Sequence, residues 1–377
     1  MNLPDHDLAI VGGGFAGLAC AQAAARRGVR TVVLDRKTRA GASVHTTGLL
    51  VKEAADRFDV PRTLTRTLSK IRLYSPNLRF IDLESPGYYF LATDTPGLLR
   101  WMAGEAEKAG AELRWNSPFR TARLSGKFWD IQPGGVRARF LVGADGAKSA
   151  VARDQGLDTN RRFLLGVEGE WTGVGGLDED RIHVFLDATH ARGYIGWVVP
   201  GVGFTQIGLA VNSHYTPDLK PWLEKIRPLF DFSSAKEWHR RGGLIPCGRT
   251  LRHTSARRLL LLGDAAGTVS PLTAGGIHPA LELGRLAGIA LSDFLLNRGP
   301  DPALILQPST PAYLTKGLLR TAFDLLPASD ALFNFALDNP LFRCAARTIF
   351  FHHRGLLSLD AWKDLLGAGT GRRPEQS

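Results

Sequence analysis

Near the start of the chain, "DLAIVGGGFAGLACAQAAARRGVRTVVLD" (residues 7 to 35) runs from an apolar stretch through clustered glycines into an alanine-rich segment, then to a second apolar stretch. Strand, helix and strand in that order form a unit with a parallel crossover, which commits this part of the chain to an α/β layer. Gly12, Gly14 and Gly17 stand as G-x-G-x-x-G between the first strand and the helix, and Asp35 closes the second strand. Such glycines let the backbone turn tightly and approach a pyrophosphate, the helix N-terminus offers unpaired N–H groups, and the acid takes ribose hydroxyls. The pattern predicts a bound dinucleotide. A carboxylate at position 35 repels a 2′-phosphate, so FAD or NAD suits this site and NADP does not. Arg36 reads either as a stacking partner for adenine or as a solvated charge.

A second segment of similar character lies far along the chain: "GDAAGTVSPLTAGGIHPALELG", residues 263 to 284. Asp264 is expected at the end of a buried strand, with its carboxylate open to the hydroxyls of a polyol chain. Gly275 and Gly276 allow close backbone approach, and a helix starting near Ile277 aims its N–H dipoles at an electron-rich ring edge. A reduced flavin, anionic along its N1–C2 carbonyl edge, suits that seat; the plainer alternative is that Asp264 only caps a helix. One extended ligand satisfies both segments, its adenosine end at Asp35 and its ribityl and ring end at 264 to 277. FAD is therefore the expected cofactor.

With 377 residues the chain has room for two or three lobes. The text alternates accordingly. Residues 70 to 93 and 163 to 212 read as antiparallel strands, while helical and buried-strand text returns around 94 to 160 and 250 to 299. The expected fold is α/β: a Rossmann-type FAD-binding domain (1–69, 94–160 and 250–299) interleaved with an antiparallel β-sheet substrate domain (70–93 and 161–249). A helical C-terminal segment (300–377) follows.

The net charge of +11 does not point to nucleic acid, because the basic residues are dispersed rather than gathered in a stripe with interleaved aromatics. Cys20, Cys247 and Cys344 lie far apart, so neither a disulfide framework nor a metal site is expected, and a reducing cytoplasm is the expected location. No signal-peptide pattern and no long apolar window is visible.

Together with the N-terminal fingerprint, "FLVGADGAKSAVARDQG" and "LLLLGDAAGTVSPLTAGGI" resemble the Asp-Gly and Gly-Asp motifs of the flavoprotein hydroxylase superfamily with the p-hydroxybenzoate hydroxylase fold. Within it, the chain resembles the geranylgeranyl reductase family. "GYIGWVVPGVGFTQIGLAV" is similar to that family's aromatic-x-Trp-x-Phe-Pro segment, with Trp197 and Pro200 matching, and "GGLIPCG" and "PLTAGGI" fit as well. Departures fall around the flavin and substrate: Ile195 with neighbouring Tyr194 replaces the first aromatic, Gly201 the usual Lys, His45 the flavin-side Cys, and Thr95 the Arg that opens the mid-chain helix. Flavin halogenases share only Trp197 and Pro200 over the same stretch.

The resemblance implies a reductase in which NAD(P)H or another donor reduces FAD and flavin N5 passes hydride to an alkene of an isoprenoid or other apolar substrate. His45 and Tyr194 are the expected proton-delivery groups, because imidazole and phenol can both donate. His45 reads equally as a structural hydrogen-bonding residue. Trp197 is the expected pocket wall, whereas Phe185 and Phe204 read as sheet core and Trp171 as either. An alternative chemistry is monooxygenation of an aromatic or other apolar small molecule. The tail, with Arg320, Arg343, Arg347 and Arg354 among Leu and Phe, reads either as a cover on the flavin domain or as a basic amphipathic surface for peripheral membrane contact.

Overall fold

A computed structural model describes residues 5–325 and 329–351, and within them the chain is α/β with a helical C-terminal segment. A central sheet carries parallel neighbours in the order Leu259–Leu261, Val136–Gly143, His6–Val11, Thr31–Leu34 and Glu112–Arg114. Its inner strands are buried on both faces, which is why they read as continuous Val, Ile and Leu. The helix Phe15–Ala25 follows from alanine's high helix propensity and the absence of bulk. It is crossed by the long helix Ile277–Leu295 at very short range. A Cβ on Gly284 would lie 2.5 Å from the Ala16 carbonyl oxygen, and one on Gly288 2.5 Å from that of Cys20.

The second sheet has the strand order Lys236–Pro246, Phe163–Thr172, Thr205–Asn212, Ile195–Pro200, Arg181–Leu186, Lys70–Tyr74 and Phe80–Glu84. It unites two distant stretches of the chain. Their junction, Arg181–Leu186 against Lys70–Tyr74, is parallel, whereas the other pairings in this sheet are antiparallel. The stretch from 70 to 93 divides: Phe90–Thr93 leaves that sheet and joins Leu49–Val51 and Thr65–Leu68 in a separate three-stranded sheet.

Four helices end the described chain: Pro302–Ser309, Leu314–Leu325, Asp330–Asp338 and Pro340–Phe351. Phe351 is buried with Leu68, Ile71 and Phe90, so the last helix packs on the core between the second sheet and the three-stranded sheet. Among the described residues no helix is long and apolar enough to cross a membrane.

Candidate active site

A cavity of about 420 Å³ opens between the two sheets. Its floor comes from both glycine-bearing segments. Gly12 has φ +111°, and a Cβ there would lie 2.2 Å from the Ala144 carbonyl oxygen, while one on Gly17 would lie 1.9 Å from the Gly12 carbonyl oxygen. These two glycines press backbone onto backbone. Gly14 instead faces open space, with nothing within 4 Å of its Cβ position, at a helix start that no side chain caps. That is a cradle for an anion.

Asp35 is buried, and its carboxylate accepts from the Gly13 N–H at 2.6 Å and the Lys37 N–H at 2.7 Å. A carboxylate has about four acceptor positions, so room for ribose hydroxyls remains. Trp115, which sequence reasoning did not single out, stands against Gly13: a Cβ on Gly13 would lie 2.9 Å from its indole. Arg36 is exposed. Burial lowers the pKa of Lys37, with Asp35 working in the opposite direction.

The other end of the floor departs from expectation in one detail. Asp264 lies not at a strand end but in the 3-10 turn Gly263–Ala266, because the strand stops at Leu261 and Gly263 turns with φ +59°. Asn160 secures this turn by donating to the Asp264 carbonyl at 2.8 Å and to the Ala147 carbonyl at 3.1 Å. The Asp264 carboxyl has no hydrogen bond to another described residue, and burial pushes its pKa up to about 6. Gly275 and Gly276 border the cavity, and the helix Ile277–Leu295 begins there without a side-chain cap. An unpartnered carboxyl, open glycines and two uncapped helix starts fit the hydroxyl, phosphate and ring-edge groups of FAD. Asp145 plays a different part: it accepts from the Ser149 hydroxyl and from the Ala150 and Val151 N–H groups, so it caps Ala150–Asp154.

The loop His45–Gly48 forms one side of the cavity. His45 Nδ1 donates to the Gly242 carbonyl at 2.8 Å, which leaves Nε2 free of that bond. The Gln206 amide donates to the Thr47 carbonyl at 2.7 Å. On its far side the loop lies on Thr93, whose hydroxyl donates to the Gly48 carbonyl at 2.9 Å, and on Thr95. A Cβ on Gly48 would come within 1.9 Å of the Thr95 hydroxyl oxygen, so the position where the resemblance implies an Arg is filled by a small buried side chain under a glycine.

The roof is the substrate sheet. Tyr194 is buried at the cavity edge; burial raises its phenol pKa, and the nearby Arg320 charge works in the opposite direction. Trp197 lines the cavity and donates its indole N–H to Glu168 at 2.7 Å. Glu168 also takes the Thr47 hydroxyl at 2.6 Å and Arg241, whose guanidinium reaches Glu170 as well. Glu168, Glu170 and Arg241 are all buried. Ile71, Ile182, Val184 and Val199 from the sheet and Ile349 and Phe350 of the last helix also line the cavity, and they make up its apolar arm. Phe185 packs in the opposite layer with Tyr74 and Trp222, and Trp171 lies with Phe232. Gly12, Gly17, Asp35 and Arg36 do not border the cavity; the other expected site residues do.

The FAD-binding domain family model matches residues 5–305. The chain belongs to that family. It is 28% identical over 306 residues to digeranylgeranylglycerophospholipid reductase 2 of Methanopyrus kandleri, covering 75% of this chain and 76% of the relative. Geranylgeranyl diphosphate reductase of Rhodobacter capsulatus is 29% identical over 309 residues, 78% of this chain and 77% of that one. Among solved structures, a geranylgeranyl bacteriochlorophyll reductase-like protein of Thermoplasma acidophilum superposes with TM-score 0.80 at 21% identity, covering 98% and 97% of the two chains. The protein is a FAD-dependent oxidoreductase that is similar to geranylgeranyl reductases.

Proposed function

We propose that the protein reduces C=C bonds of an isoprenoid or similarly long apolar substrate. The carrying observation is the cavity itself, which joins the flavin bed to an arm walled by Ile71, Ile182, Val184, Val199 and Phe350. When bound, FAD supplies hydride from N5 of its reduced ring. Gly12, Gly14, Gly17 and Asp35 would hold its nucleotide end, and Asp264, Gly275, Gly276 and Ile277 its ribityl and ring end.

The apolar arm excludes water and orients the alkene. The carbon that does not take hydride needs a proton. Tyr194, kept neutral by burial, is the proton-delivery group at the cavity edge, and His45, whose Nδ1–H is held by the Gly242 carbonyl, can give a proton from Nε2 only as the imidazolium. The relatives' names support reduction over monooxygenation, for which the same dry cavity would shield the flavin from water. The reductant is NAD(P)H or another donor, and anaerobic titration of the flavin with each identifies it. For the main reading, the protein is reduced anaerobically and mixed with geranylgeranyl diphosphate. Reoxidation by the alkene without oxygen is the expected result; reoxidation only by oxygen with a hydroxylated aromatic product would replace the reading.

Access from a bilayer belongs to the same reading. Leu314, Leu318, Phe335 and Leu341 are exposed on the C-terminal helices, whose last member also walls the cavity. Of the four arginines expected to make this face basic, Arg320 is buried and paired with Asp324, Arg343 is exposed, Arg347 is half-buried, and Arg354 lies outside the described residues. Peripheral contact therefore rests on the leucines and phenylalanine more than on charge. Co-sedimentation with liposomes should fall when Leu318 and Phe335 are changed to Ser and persist in salt; no binding to neutral or anionic vesicles would remove membrane contact from the reading.

A further inference from the structure

Arg241, Glu168, Gly208 and Trp197 occupy matching positions on four successive strands: Glu168 pairs with Arg241 and with Gly208, and Gly208 pairs with Trp197. Residues directly opposite one another on neighbouring strands project to the same face. The glycine is what lets the row connect. A Cβ on Gly208 would lie 2.6 Å from the Trp197 ring, so the indole crosses the sheet where position 208 has no side chain and reaches Glu168.

We propose that Glu168 is a positioning residue for the reducing site, an assignment that rests on the reductase reading above. One of its carboxylate oxygens accepts both the Trp197 indole N–H, at 2.7 Å, and the Thr47 hydroxyl, at 2.6 Å. The other oxygen takes the Arg241 guanidinium through Nε, at 3.0 Å, and through Nη2. One buried carboxylate thus ties the substrate wall to the loop that closes the flavin side of the cavity. The indole N–H is occupied, so the ring offers the substrate carbon surface and no competing donor. A buried carboxylate accepting from four donor atoms on three separate segments is costly to build. Here it keeps the wall and loop in one register while the substrate fills the arm.

Glutamine at 168 cannot replace this arrangement. Its amide nitrogen must face either the guanidinium or the indole and hydroxyl pair, setting donor against donor. Alanine at 208 perturbs the same contact without removing a polar side chain, its Cβ pressing on the Trp197 ring and, at 2.7 Å, on the Val167 carbonyl oxygen. The test uses full-length, FAD-loaded protein with 15N-labelled tryptophan, the Trp197 indole signal being identified by its loss in Trp197→Phe. Glu168→Gln and Gly208→Ala should each move that signal and speed its exchange with D2O. Each should slow anaerobic reoxidation by geranylgeranyl diphosphate roughly tenfold to hundredfold, as a misplacement of about 1 Å does, with FAD content unchanged. In the Trp197→Phe background, Glu168→Gln should cost much less than it does alone.

An indole signal unmoved by both variants overturns the positioning assignment, whatever the substrate. So does a signal that moves while reoxidation keeps its wild-type rate. Failure of the wild-type protein to be reoxidised by the isoprenoid strikes at the reductase reading instead, and the indole signal still decides whether Glu168 fixes the wall. Should Glu168→Gln lose FAD or fail to fold, Gly208→Ala carries the same comparison.

Discussion

At the end proposed to hold the nucleotide, beside the cavity, Gly12 and Gly17 bring backbone against backbone, and the useful surface is what side chains leave open. At the substrate wall, Glu168, Arg241 and Trp197 bury charge and ring together, and the useful surface is what a polar network holds still. The two ends fail in different ways. A bed made of absent side chains is damaged by adding atoms, whereas a wall made of mutually satisfied polar groups is damaged by removing them. Added methyl groups at the first should remove cofactor; lost partners at the second should leave cofactor binding and disturb substrate.

The sharpest break in that comparison is Arg241→Met, which leaves Glu168 and Glu170 buried without their cation. It should cost about 3 to 5 kcal/mol of stability in denaturant melts while the folded fraction still binds FAD. Loss of FAD binding in the folded fraction would merge the two regions into one. Next comes Gly17→Ala, whose new Cβ meets the Gly12 carbonyl oxygen. A cost of about 2 to 4 kcal/mol and a colourless purified protein are expected, and full FAD content would show that the loop yields.

Asp264→Ala removes an acceptor without adding bulk and should weaken FAD about tenfold to hundredfold by equilibrium dialysis, the worth of one or two charge-assisted hydrogen bonds. The same residue gives the apoprotein a pH signature. Its carboxyl pKa of about 6 in the fold lies above the ordinary value of about 3.9, so the native state holds the extra proton between those values. Stability should therefore be greater below that window and fall, by about 3 kcal/mol, as pH rises through it. Asp264→Asn should flatten the slope in thermal melts of apoprotein, and an unchanged slope would assign it to other groups. Arg36→Ala is the smallest test: the residue is exposed, and FAD affinity should change by no more than about threefold.

Much of the flavin bed could be read from the residues because its parts are local. Strand, glycines, helix and Asp35 succeed one another, and Gly275, Gly276 and Ile277 stand together. The substrate wall offers no such run. Glu168 and Arg241 meet only through the pairing of Phe163–Thr172 with Lys236–Pro246, and "GVEGEW" and "HRRGG" look like ordinary exposed strand text. The available signal was the spacing of Glu168 and Glu170, two acids two residues apart and hence on one face of a strand, in a segment otherwise rich in apolar residues. Likewise, the departure of Phe90–Thr93 into the three-stranded sheet depends on partners at 49 to 51 and 65 to 68. Alternation announces a strand but does not choose its neighbour.

The crossing of Phe15–Ala25 with Ile277–Leu295 sets a length standard for the ligand. On the proposed reading, the N-terminus of the first helix is the phosphate seat and that of the second the ring seat. Gly284 and Gly288 let the helices touch through their backbones, where no side chain can rotate to adjust the gap. The interval between the two helix starts is thereby held by backbone-to-backbone packing. If both seats are used as proposed, a shorter flavin such as FMN would fill the ring seat without reaching Asp35, and span would select the cofactor before any chemical group is read.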